Sequence, residues 1–80
     1  MKQDNELRID ARGLSNPGPR MMVETARARG RYNSMRVVVS SVAALDDLRS
    51  YFESLGASVE TDHIGDDYHI LADLTPQNKT

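Results

Sequence analysis

The sequence contains no cysteine, and in a chain of 80 residues that absence sets the terms on which it can fold. A core of this size leaves a net stability of roughly a few kcal/mol. No disulfide framework, thiolate metal site or redox motif is there to reinforce it. The chain is therefore read as one domain, closed by one apolar core.

Hydrophobic periodicity divides the chain into six elements. Glu6 to Ala11 alternates polar and apolar residues, which puts Leu7, Ile9 and Ala11 on one face of a strand. Gly13 permits a sharp turn after it. Asn16 is a favoured N-cap and Pro17 fits the first position of a helix, since its missing N–H costs nothing there. Met21, Met22, Thr25, Ala26 and the stem of Arg29 give that helix its apolar side, and Gly30 and Asn33 end it. Met35 to Val39 is short and β-branched and reads as a second strand. Ser40 or Ser41 then caps a second helix, whose core stripe is Leu45, Leu48, Phe52 and Leu55. Gly56 takes the left-handed position that closes it. Ser58 to Ile64 and Tyr68 to Leu74 flank Gly65-Asp66-Asp67 as a hairpin, with Tyr68, Ile70, Ala72 and Leu74 on one face. The expectation is an α+β chain in the order β-α-β-α-β-β, folded as a two-layer sandwich. A four-stranded mixed sheet carries both helices on one face over residues 6–74, with residues 1–5 and 75–80 as flexible termini.

The run Asp10-Ala11-Arg12-Gly13-Leu14-Ser15-Asn16-Pro17-Gly18-Pro19 resembles the signature of the TusA/SirA family of small sulfur carriers, Asp-x-x-Gly-Leu-x-Cys-Pro-x-Pro. Every fixed position matches except the cysteine, where this chain has Asn16. Met21-Met22-Val23 also resembles the family, and the element order fits it from Glu6 to Leu74. The resemblance implies a β-α-β-α-β-β fold with a surface around Asp10, Arg12, Gly13, Leu14, Asn16, Pro17, Gly18, Pro19 and Arg20. In the family the cysteine takes a persulfide sulfur from a cysteine desulfurase and passes it onward, for example toward tRNA thiolation. Relatives act in sulfur oxidation and selenium metabolism. A thiol at a helix N-terminus is favoured as thiolate by the positive end of the dipole. An asparagine amide has no group that accepts sulfur, and no other cysteine exists to take over. Two further departures are Ser40-Ser41-Val42, where the family often has an Asp-x-Pro run, and Glu24 to Arg29, where many members are rich in lysine.

The expected function is therefore that of a TusA/SirA-like binding or regulatory protein with no catalytic residue, no cofactor and a protein partner. The alternatives are a sulfurtransferase component whose cysteine has been replaced at position 16, and an RNA-binding module. For the last, Arg20, Arg27 and Arg31 recur at helical spacing and suit phosphate, tRNA included. Against it, aromatic residues for base stacking are few. A solvated helix face is the plainer reading of those arginines. His63 and His69 flank the hairpin turn beside Asp62, Asp66 and Asp67, and a metal there would need a further ordered ligand, so no metal site is expected. An anion at the first helix has few donors to meet, because Pro17 and Pro19 lack N–H groups and the Asn16 side chain can occupy that of Gly18.

Charge is divided along the chain. Residues 1–40 carry eight basic and four acidic side chains, and residues 41–80 carry two and eight, giving +4 and −6. Such asymmetry suits either a charged partner or two solvated halves. Met1 to Glu6 has no apolar run behind Lys2, unlike a signal peptide. No stretch approaches the roughly 20 apolar residues a membrane helix needs, so a cytoplasmic location is expected.

Overall fold

The computed structural model describes residues 6–75. Its elements are β1 (Glu6–Asp10), α1 (Gly18–Arg29), β2 (Ser34–Val39), α2 (Val42–Ser54), β3 (Ser58–Ile64) and β4 (Asp67–Asp73). This is the expected order. The expectation for residues 1–5 and 76–80 lies outside the described residues, while the Thr75 N–H donates to Asp73 Oδ1 at 3.0 Å.

The four strands form one sheet in the order β1-β2-β4-β3. β1 and β2 are parallel, with Ile9 level with Val37, and therefore need the crossover that α1 supplies. β4 lies antiparallel between β2 and β3, pairing Ile70 with both Val37 and Thr61. β1, β2 and β3 thus run the same way. The loops after β1 and β2 and the β3–β4 turn gather at one end of the sheet.

Alternation along the strands puts Ile9, Met35, Val37, Val39, Ile70 and Ala72 on the face that the helices cover. There they pack with Val23 of α1 and with Ala44, Leu45, Leu48 and Phe52 of α2. Phe52, Met35 and Leu48 are the largest fully buried side chains. Three positions depart from the periodicity. Met21 and Met22 are 58% and 40% exposed; Val23, one position on, enters the core instead, with Pro19. Leu55 ends the α2 stripe outside the core at 41% exposure, because it is the C-cap rather than a residue of the last full turn. The hairpin turn is tighter than expected, since Asp67 already pairs with Ile64 and only Gly65 and Asp66 make the connection.

The ends of α2 follow the sequence closely. The Ser41 hydroxyl accepts from the Ala44 N–H at 3.1 Å, occupying a donor that the first turn leaves free. At the other end Gly56 has φ +82. Its N–H reaches the Glu53 carbonyl and that of Ala57 reaches Phe52, the paired bonds of a Schellman close. Among the described residues no helix is long and apolar enough to cross a membrane.

Candidate functional site

The loop between β1 and α1 stands at the end of the sheet where the three loops meet. It begins with Ala11, buried and bonded through its N–H to the Val38 carbonyl at 2.8 Å. At Arg12 the chain leaves the sheet, and its guanidinium spans two elements. Nε and Nη2 donate to the two carboxylate oxygens of Asp10 at 2.9 and 2.8 Å, and Nη1 reaches Asp67 Oδ2 at 3.4 Å. The Arg12 N–H also points to Asp10 Oδ1, at 3.2 Å. Hydrogen bonds from a cation favour the ionised carboxylate, and Arg12 holds Asp10 down at about 2. The same contacts raise Arg12 above its ordinary value. Arg12 is thus a brace from the end of β1 to the start of β4.

Gly13 follows with φ +83, a conformation that a side chain makes costly. Its N–H donates to Ser40 Oγ at 3.0 Å, which ties this loop to the one that opens α2. Leu14 folds back over Gly18, where an added Cβ would lie 3.3 Å from the Leu14 Cβ. Leu14, Ser15, Asn16 and Pro17 are exposed and form the tip; the Asn16–Pro17 peptide is cis.

The expected cap is corrected here. Pro17, not Asn16, occupies the N-cap position of α1, with Gly18 and Pro19 the first helical residues and no side chain capping the end. The backbone has taken over that task, because the Ser15 carbonyl accepts the Gly18 N–H at 2.6 Å and the Pro17 carbonyl accepts that of Met21 at 3.0 Å. The Gly18 donor assigned above to Asn16 is thus used by Ser15. With Pro17 and Pro19 lacking N–H groups, the first turn offers little to an anion.

The arginines divide. Arg20 Nε faces Asp47 Oδ2 at 3.3 Å, both atoms shielded from solvent, so this pair links α1 to α2. Arg27 Nη1 donates to the Tyr51 hydroxyl at 3.1 Å. Arg31 lies beyond the end of α1, beside Tyr32 and Leu74. The three therefore do not form one continuous helix face.

The histidines are separated as well. His63 is level with Tyr68 and stacks on its ring at 4.3 Å and 15°. His69 is level with Asp62 and so lies on the opposite face of the sheet. Its Nδ1 is buried without a hydrogen-bond partner. Among the described residues no group of three or more histidines or carboxylates is placed to hold a metal.

Two features escaped the sequence. The Asp67 end of the Arg12 brace is 55 residues away in the chain, beyond any local spacing. An apolar groove of about 500 Å³ runs along the outer side of β1, lined by Leu7, Ile9, Met21, Met22, Ala26 and Tyr32 among others. Its helix wall is the apolar side read from the sequence, Met21, Met22, Thr25, Ala26 and Arg29, but that this side stays open as a groove was not legible there.

No established family profile matches the sequence, and no curated protein does. The fold has a clear counterpart among solved structures. The crystal structure of a SirA-like protein from Desulfitobacterium hafniense superposes with a TM-score of 0.77 at 19% identity. The match covers 88% of this chain and 99% of that one. This chain thus has a SirA-like fold.

Proposed function

We propose that this chain is a non-catalytic TusA/SirA-like binding or regulatory protein, whose loop from Asp10 to Arg20 docks a protein partner of a sulfur relay. Asn16 carries this reading. The motif is intact on either side of it, and residue 16 sits at the exposed tip of a loop whose tethers belong to other residues, Arg12 to Asp10 and Gly13 to Ser40. The arrangement presents residue 16 to a partner, yet its carboxamide has no atom that can take up sulfur. With no cysteine elsewhere in the sequence, recognition remains and transfer does not.

Incubation with a cysteine desulfurase and cysteine tests this reading by intact mass. The wild-type chain is expected to stay unmodified, and Asn16→Cys to gain one sulfur, because the loop still offers that position to the donor enzyme. A sulfur on the wild-type chain overturns the non-carrier reading. An Asn16→Cys chain that folds but gains none overturns the retained docking surface.

A further inference from the structure

Among the described residues the outer edge of β1 has no neighbour in the sheet. The Ala11–Val38 bond fixes which way its peptide groups point. In a parallel pair alternate residues turn both N–H and C=O to the neighbour, so Leu7 and Ile9 face β2, and the peptide groups of Arg8 and Asp10 face outward. The apolar groove runs beside them on the helix side, with Leu7 and Ile9 on one wall and the exposed Met21 and Met22 on the other. The crossover sets its direction. Ser34 is level with Glu6, so Arg29 and Tyr32, which lead into β2, stand at the start of β1, and the two methionines lie toward its far end. Among the described residues Arg29 is the one charged side chain of the lining, and it has no hydrogen-bond or ion-pair partner.

We propose that this edge takes an extended segment of a partner protein, antiparallel to β1, with apolar side chains at alternate positions and a carboxylate after them. The outward peptide groups of Arg8 and Asp10 hydrogen-bond a strand, whereas a helix has already used its own. Alternate side chains of that strand drop between β1 and the two methionines, whose flexible thioethers adapt to what enters. The five residues of β1 span about 17 Å and the twelve of α1 about 18 Å, so edge and groove match in length. Antiparallel pairing is the more stable kind per residue, and it brings the C-terminal end of the occupant to Arg29. A guanidinium without a partner there selects a carboxylate. A second copy of β1 is a poor occupant. Reversed on itself, the row Glu6-Arg8-Asp10 sets Arg8 on Arg8 and Glu6 on Asp10, and its groove side, Leu7 and Ile9, carries no acid. The occupant is therefore a different chain, and the reading does not depend on the sulfur relay.

The probe is a fluorescein-labelled peptide amide, Thr-Val-Thr-Leu-Thr-Asp, titrated with the full chain and followed by fluorescence anisotropy. Its Val, Leu and Asp side chains share the groove side, and the amide leaves the Asp side chain as its one carboxylate. Saturable binding is expected. Asn in place of Asp should weaken it by about threefold or more, and Arg29→Gln should remove the difference between the two peptides. Met22→Asp, a change at an exposed position, should abolish binding of both. With the Asp peptide bound, the Arg8 and Asp10 amides should exchange with solvent more slowly. Absence of binding at millimolar peptide overturns the proposal. So does a preference for Asp that survives Arg29→Gln, or binding that leaves the two amides unprotected. The peptide Asp-Thr-Leu-Thr-Val-Thr places the acid at the other end, and tighter binding of it overturns the antiparallel direction. Protection of the same amides that rises with protein concentration alone gives the edge to a second copy and overturns the partner reading.

Discussion

The Gly13 N–H donates to the Ser40 hydroxyl at 3.0 Å, fastening the loop after β1 to the loop that opens α2. Ser40 thus serves the first loop while its neighbour Ser41 caps α2 through the Ala44 N–H. Two adjacent serines, equivalent as caps in the sequence, have separate tasks.

The caps give the first prediction. Ser41→Ala should lower stability by about 1 kcal/mol, the usual cost of a lost N-cap. Asn16→Ala should stay within about 0.5 kcal/mol of wild type, as for an exposed side chain without a structural partner. Urea titration of the two variants checks this; equal losses would mean that Asn16 does cap α1.

Acid should loosen the Arg12 brace. Asp10 is held at about 2 by the hydrogen bonds from Arg12, below the roughly 3.9 of a free aspartate. Its contribution is present above the unfolded value and is lost as pH falls from near 4 through 2. Denaturation midpoints of wild type and Asp10→Asn should therefore differ at pH 6 and converge as pH falls through that window. A constant difference across it removes Asp10 as the titrating group.

Gly13→Ala and Gly56→Ala should each cost about 1 kcal/mol or somewhat more. Open space surrounds both positions, so the cost is conformational rather than steric. Asparagine, which tolerates the left-handed region, should recover part of it at either site. Thermal unfolding of the four variants makes the comparison.

Phe52→Ala should leave the chain largely unfolded. Truncating a buried phenylalanine costs about 3–5 kcal/mol, comparable with the whole stability of a domain this small. Leu55→Ala, three residues on and outside the core, should cost under about 1 kcal/mol. Circular dichroism at neutral pH distinguishes the outcomes.

The β-branched run at Val37 to Val39, the Leu45-Leu48-Phe52 stripe and Gly56 were legible in the sequence because each is a local pattern with one structural answer. Met21 and Met22 belong to the apolar side of α1 but lie outside the core, a difference the sequence does not carry, because methionine is apolar whether or not a strand lies beneath it. Here α1 overhangs the edge of β1, and Val23 alone of the three reaches the core. Asn16 was misplaced for a related reason. Capping preference is a property of one residue, whereas the start of α1 is settled by the Ser15–Gly18 backbone turn. At the candidate site the motif marked the loop, with Asp10, Arg12 and Gly13 in it. Asp67 was out of reach, since nothing local in the sequence states which residue of a distant hairpin will stand beside Arg12.

The strand order has a consequence for how the sheet closes. Among the described residues β3 pairs only with β4, and β4 covers the second edge of β2. Without β4 the native pairings that remain are those of β1 with β2, too few strands for a stable sheet. The sheet therefore closes only when β4 is in place, which makes the last strand in sequence the one that joins the two halves of the sheet.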